Sequence, residues 1–262
     1  MAPGKRFEGR VVVVTGTSRG IGQAIAVAFA QNGAKVIGLA RSSQAETTQL
    51  ATKDGGGPFE AVEFDFEKST AAPINEMVKK LVARHGKIDV LVNNAGTIRR
   101  GAAIDFTEKD WDDVLRINLS SPFFLTQAVG RWWINDGRAK AGPNDRLRIV
   151  SIASMLSFQG GIRIISYTAA KHGIAGITKA LANEWAGERI NVNAIAPGYI
   201  STENTRVLRE DPVRNKAILE RIPQGGWGNP SDIAGGVMWL ASADGDYVNG
   251  SVINIDGGWL AR

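Results

Sequence analysis

Short apolar runs alternate with stretches of helical periodicity along most of the chain. Residues 11–15 begin with four consecutive valines, the pattern of a strand buried on both faces. Ile21, Ile25, Ala28 and Phe29 then recur at helical spacing, and Asn32-Gly33 ends that helix. The same alternation predicts strands over 35–39, 60–65, 88–92, 147–152, 190–196 and 251–255. Between them it predicts helices over 44–53, 74–84, 107–134, 166–185, 204–221 and 231–241. Asp54-Gly55-Gly56-Gly57-Pro58 breaks the second helix, and Pro122 marks a kink or a first helical turn. The polar stretch 135–145 reads as a surface loop.

Seven strands alternating with helices predict an α/β fold: a doubly wound parallel sheet with right-handed crossovers and helices on both faces. No repeat or linker divides the chain, so residues 1–262 are read as one domain. A chain of this length buries about three quarters of the surface its unfolded form exposes, so it needs no staple. It has no cysteine, which removes disulfides, thiolate metal sites and cysteine nucleophiles together. No metal site is expected.

The net charge is +5, but the basic residues are interspersed. Lys79-Lys80 and Arg99-Arg100 are the densest pairs, short of a nucleic-acid patch. No nucleic-acid partner is therefore expected. The N-terminal Met-Ala-Pro-Gly-Lys-Arg leads into an apolar run too short for a signal peptide, and no later run spans a bilayer. The expectation is a cytoplasmic protein with no membrane partner.

Candidate chemistry begins where the first strand meets the first helix. Thr15-Gly16-Thr17-Ser18-Arg19-Gly20-Ile21-Gly22 has three glycines spaced Gly-x-x-x-Gly-x-Gly. Gly16 permits a tight turn, while Gly20 and Gly22 let a phosphate approach the backbone and the helix pack close. The helix N-terminus adds unpaired N–H groups and partial positive charge, which suits a pyrophosphate. A ligand-free turn is the plainer explanation, and three glycines in eight residues weigh against it. The second strand ends Leu39-Ala40-Arg41-Ser42, without the acid that usually holds both ribose hydroxyls of NAD. Arg41 and Arg19 could instead pair a 2′-phosphate, which favours NADP(H); NAD(H) stays open.

The same turn matches Gly-x-Ser-x-Gly, the nucleophile elbow of a hydrolase, through Gly16-Thr17-Ser18-Arg19-Gly20. That alternative needs a downstream acid and histidine. Only His85 and His172 exist, and His172 lies inside a predicted helix.

Tyr167 and Lys171 stand four apart on a predicted helix and so share a face. A phenol is a poor base at neutral pH, and a neighbouring ammonium should lower its pKa. Tyr167 could then exchange a proton with an alcohol or a forming alkoxide. Ser154, just past the fifth strand, could hydrogen-bond the reacting oxygen. Such a pair also arises by chance, as a half-buried tyrosine beside a solvated lysine. It gains weight from the glycine turn and from lying past the carboxyl edge of a parallel sheet.

Taken in order, Thr15-Gly16-x-x-x-Gly20-Ile21-Gly22, Asn93-Asn94-Ala95-Gly96, Asn118, Ser154, Tyr167-x-x-x-Lys171 and Pro197-Gly198-Tyr199-Ile200-Ser201-Thr202 resemble the short-chain dehydrogenase/reductase family over essentially the whole chain. The resemblance implies a Rossmann-type sheet and a tetrad of Asn118, Ser154, Tyr167 and Lys171, with Asn118 holding a relay water. It implies a dinucleotide site from Gly16, Ser18, Arg19, Gly20, Ile21, Gly22, Arg41, Asp65, Asn93, Ala95, Gly96, Tyr167, Lys171, Pro197, Gly198, Ile200 and Thr202. Asp65 would touch the adenine, and Thr202 the carboxamide. Family members are commonly homotetramers, and the same is expected here.

Within that family, residues 154–163, 182–186 and 256–262 and Gly96-Thr97-Ile98-Arg99-Arg100 are similar to enzymes of 2-deoxy-D-gluconate 3-dehydrogenase or 2-dehydro-3-deoxy-D-gluconate 5-dehydrogenase type. The resemblance implies hydride transfer to or from a secondary hydroxyl or ketone of a deoxy sugar acid. Such a carboxylate needs a cation. Arg163 and Arg99 are the candidates, with Gln159 for a sugar hydroxyl and Ser154 and Tyr167 at the reacting oxygen. Several members of that group use NAD, in conflict with Arg19 and Arg41. A 3-oxoacyl-thioester or general carbonyl reductase, and a non-catalytic NADP-binding sensor, are the alternatives.

Overall fold

The computed structural model describes residues 5–262, so the part of the N-terminal reading that rests on residues 1–4 lies outside the described residues. Its seven strands are β1 (Val11–Thr15), β2 (Lys35–Ala40), β3 (Phe59–Glu63), β4 (Val90–Asn93), β5 (Leu147–Ile152), β6 (Ile190–Pro197) and β7 (Val252–Ile255). They form one parallel sheet in the order β3-β2-β1-β4-β5-β6-β7. The order reverses direction between β1 and β4, and a crevice opens at the carboxyl ends of strands on either side of such a reversal.

The helices are α1 (Gly20–Gln31), α2 (Ala45–Thr52), α3 (Ala71–His85), α4 (Glu108–Leu115), α5 (Ser121–Trp132), α6 (Arg138–Lys140), α7 (Ile165–Trp185), α8 (Arg206–Glu210), α9 (Pro212–Arg221) and α10 (Pro230–Leu240). Because side chains alternate across a strand, β1 feeds two cores at once. Val12 and Val14 pack with Ile25 and Phe29 of α1 and Ile233 and Val237 of α10. Val11 and Val13 pack on the other face with Ile74 and Leu81 of α3, Leu125 of α5 and Leu181 of α7. Each fully buried side chain of this size contributes about 1.5–3 kcal/mol of transfer free energy.

Three expectations need correction. Strands β3 and β4 sit a residue or two away from the predicted bounds. At the start of β4, Asp89 is held by Arg10 at 3.0 Å and accepts the Val11 amide at 2.7 Å. Residues 135–140 are not loop: π-turns at Arg116–Ser120 and Trp133–Gly137 join α4, α5 and α6 into one continuous helical run. The second π-turn keeps Trp133 and Gly137 buried while polar neighbours face outward, so composition alone misread it. The helix expected over 204–221 breaks at Asp211, whose side chain caps α9 by accepting the amides of Val213 and Arg214. Pro212 then occupies the first turn of α9, whereas Pro122 lies within the continuous run, two residues past the first π-turn.

Candidate active site

Thr15 ends β1, and its hydroxyl accepts the amides of Asn94 at 2.9 Å and Ala95 at 2.8 Å. The glycine turn is thereby tied to the end of β4. Gly16 has φ of 72°, a left-handed conformation that a side chain would strain. Gly22 is needed for a different reason. A Cβ there would lie 2.2 Å from the Gly16 carbonyl oxygen and 2.3 Å from Asn94 Nδ2. Beneath the turn, Thr47 donates to the Thr17 carbonyl at 2.7 Å, and Gln44 Nε2 donates to Gly38 and Val62, both at 3.2 Å. This buried polar network escaped the sequence reading because its members come from four separate elements.

The first residues of α1 carry neither an acidic side chain nor a side-chain cap, although the helix has 12 residues. Their N–H groups face a cavity of about 430 Å³. An uncapped helix end beside a glycine-lined hollow fits the pyrophosphate of a dinucleotide. The cavity brings together Gly16, Ser18, Arg19, Gly20, Ile21 and Gly22 from the turn, and Arg41 and Asp65 from beyond β2 and β3. It also takes in Ala95, Gly96, Asn118, Tyr167, Lys171 and Thr202.

Four residues expected at the dinucleotide do not line it. Asn93 is buried at the sheet end, donating to Thr126 Oγ1 at 2.9 Å and Ser151 Oγ at 3.4 Å. Pro197 closes β6, and Gly198 packs so closely that a Cβ would meet Asp256 at 2.7 Å. Ile200 belongs to the core shared with α10. Neither His85 nor His172 lines the cavity that Ser18 lines, so the hydrolase alternative has no base.

At the far end Asn118, Tyr167 and Lys171 of the expected tetrad line the cavity, while Ser154 lies beside the Tyr167 phenol without lining it. Asn118 lies in the first π-turn, where an extra residue re-aims the side chain into the cavity. Its Nδ2 donates to the carbonyls of Thr97 and Val114, each at 2.9 Å, and its Oδ1 is buried without a partner. Lys171 is buried, donates to the Ile152 carbonyl at 2.5 Å, and lies 5.3 Å from the centre of the Tyr167 ring. Ser154 begins the turn after β5, and its Oγ accepts the Leu156 amide at 3.2 Å.

The electrostatics depart from the sequence expectation. Burial pushes the Tyr167 phenol up to about 12, and the lowering of its pKa comes from the Ser154 hydroxyl and the charge of Arg100, not from Lys171. Burial also pulls the Lys171 ammonium down to about 8. Desolvation disfavours the charged form of each group, so the two move in opposite directions.

The three side chains assigned to substrate outside the tetrad fare differently. Arg99 is engaged by Glu67 at 3.4 Å and Asp110 at 3.6 Å. Gln159 Oε1 accepts the Trp259 indole N–H at 3.3 Å. Arg163 is exposed, sits at φ of 63°, does not line the cavity, and its carbonyl accepts the Gly101 amide at 3.0 Å. The residue that sequence reasoning passed over is Arg100. It lines the cavity, acts on the Tyr167 phenol, and pairs with no carboxylate among the described residues. Only its place beside Arg99, which lines the same cavity, hinted at it, and adjacency could not say which of the two guanidinium groups carboxylates would engage.

Three comparisons bear on what such a site serves. Residues 16–260 match the family model described as enoyl-(acyl carrier protein) reductase, adh_short_C2. The chain is 49% identical to the 2-dehydro-3-deoxy-D-gluconate 5-dehydrogenase of Escherichia coli (strain K12), over 98% of this chain and 97% of that protein. Its identity to the enzyme of the same name from Bacillus subtilis (strain 168) is 48%, over 98% and 96%. A crystal structure from Agrobacterium tumefaciens, assigned as a 2-deoxy-D-gluconate 3-dehydrogenase with bound NADP, superposes with a TM-score of 0.87 at 51% identity and 99% coverage of both chains. No helix among the described residues is long and apolar enough to cross a membrane.

Proposed function

The chain belongs to the short-chain dehydrogenase/reductase family, and from that premise we propose that it interconverts a secondary hydroxyl and a ketone on a deoxy sugar acid, with NADP(H) as cofactor and Tyr167 as the acid/base. The observation that carries this reading is a single cavity with an uncapped helix N-terminus and glycine turn at one end and, at the other, half-buried Tyr167 beside buried Lys171. The nicotinamide, when bound, supplies or accepts the hydride.

The chain's own residues do the rest. The Tyr167 phenol, held neutral by burial, is a ready proton donor to a developing alkoxide at neutral pH. The Ser154 hydroxyl, within reach of that phenol, orients the reacting oxygen. Lys171, poised near neutrality, replaces the proton that Tyr167 gives up. The unpaired Asn118 Oδ1 extends the relay toward solvent, and a buried acceptor of this kind calls for a water. Arg100, the cation beside Tyr167 that no carboxylate among the described residues engages, receives the carboxylate of the sugar acid in place of Arg99 and Arg163.

Relatives named for 2-dehydro-3-deoxy-D-gluconate support the substrate class, and the NADP-bound neighbour supports the cofactor. Arg19 and Arg41, both on the cavity wall, supply cations for a 2′-phosphate. The test is to follow NADPH and NADH absorbance against keto-deoxy sugar acids, neutral ketones and 3-oxoacyl-thioesters at equal concentration. The reading expects the sugar acids to give the largest kcat/KM. A preference for thioesters would overturn the substrate assignment and leave the mechanism standing.

A further inference from the structure

The acid missing from the end of β2 has a counterpart one strand away. Glu67 follows β3 by four residues and lines the same end of the cavity as Arg19, Arg41, Ser42 and Asp65. Asp65 fixes the local backbone by accepting the Glu67 amide at 3.0 Å. The carboxylate of Glu67 bridges two guanidinium groups: Oε2 meets Arg41 Nη1 at 2.5 Å, and Oε1 meets Arg99 Nη2 at 3.4 Å. Its side chain is 19% exposed, against 61% for Arg41. Glu67 is thus the fixed member of the pair and Arg41 the one free to swing.

We propose that Glu67 sets the cofactor preference by competing with the 2′-phosphate for Arg41, so that the enzyme retains use of NAD. The inference rests on the reading that the adenosine end of the dinucleotide lies at Arg41. With NAD bound, Arg41 stays on Glu67 and no buried charge is stranded. With NADP bound, the phosphate must draw Arg41 away from a carboxylate that also repels it. Arg99, itself steadied by Asp110 at 3.6 Å and by Thr97 at 3.1 Å, then keeps Glu67 neutralised. That second partner is why a carboxylate can stand beside a phosphate site at all, since an unpaired partly buried charge is costly. Glu67 touches no reacting atom, so its effect belongs to cofactor choice and not to the proton relay.

The experiment uses two fragments that differ only in the phosphate, adenosine 2′,5′-bisphosphate and adenosine 5′-monophosphate. Their binding is measured by calorimetry on the parent protein and on Glu67→Gln, Glu67→Asp and Arg41→Leu. Glu67→Gln should tighten the bisphosphate relative to the monophosphate by roughly 2- to 5-fold, the range of a partly screened ion pair. The gain should shrink in high salt. Glu67→Asp, which keeps the charge but withdraws it from Arg41, should move the ratio the same way by less. Arg41→Leu should collapse the ratio, and adding Glu67→Gln to it should change nothing further. A ratio that collapses in Arg41→Leu but does not rise in either Glu67 variant overturns the competition alone. A ratio unmoved by Arg41→Leu overturns it together with the placement of the 2′-phosphate at Arg41.

Discussion

The two ends of the cavity are built from different materials. The cofactor end is mostly backbone: a left-handed glycine, a helix terminus, and a second glycine where a Cβ would strike a carbonyl oxygen. The substrate end is made of side chains: Arg100 from the turn after β4, Asn118 from the first π-turn, and Tyr167 and Lys171 from α7, with Ser154 from the turn after β5 beside Tyr167. Backbone sites tolerate one residue type at fixed spacing. Side-chain sites tolerate many solutions, because a neighbouring residue can turn in or out at little cost. The backbone turn is therefore general to the dinucleotide, and the side chains, at the substrate end and around Arg41, are where specificity can change.

Substitutions should separate these ends. Gly22→Val should be the most damaging, because the clash is with backbone and cannot be relieved by a rotamer. The expected loss is about 3 kcal/mol, or roughly 6–12 °C in Tm for a protein of this size. It should come with loss of NADPH binding, and calorimetric scanning and a fluorescence titration check both. Arg100→Met acts at the other end and should leave the fold alone. It should raise KM for a sugar acid roughly 10-fold, as for loss of one charge-assisted hydrogen bond. KM for a neutral ketone should stay unchanged. If both KM values rise together, Arg100 supports structure and does not read the carboxylate.

A smaller, graded effect is expected from pH. Below about 8, Lys171 and Tyr167 are both protonated, so the relay is loaded for ketone reduction. Reduction should run flat from neutral pH and fall as pH rises through about 8, when Lys171 gives up its proton. Alcohol oxidation needs a proton acceptor and should climb over the same interval. Initial rates in both directions across the range check the signs, and a reduction rate that increases through that interval would contradict them.

The difference in materials also explains what could be read in advance. The parallel sheet was legible because strands buried on both faces leave runs such as Val11 to Val14. The glycine turn and the Tyr167/Lys171 spacing were legible because geometry restricts the residues allowed there. The helix through 135–140 was hidden by its polar composition, and the break at Asp211 by its single-residue cap. Both Arg99 and Arg100 line the cavity, and which of them keeps its charge unpaired depended on Glu67 and Asp110, distant in sequence, engaging the first. The direction of the Tyr167 shift was misjudged because proximity to Lys171 was weighed without the burial that dominates both groups.

The central claim is that the phenol of Tyr167, on the wall of the cavity, transfers the proton while the cavity binds the dinucleotide independently of it. Tyr167→Phe removes one oxygen and keeps the ring that fills the space. Turnover of the keto-deoxy sugar acid should fall roughly 10²–10⁴-fold, as for loss of a general acid, while the Kd for NADPH measured by fluorescence stays at the parent value. Turnover comparable with the parent, at the same NADPH affinity, would contradict the account.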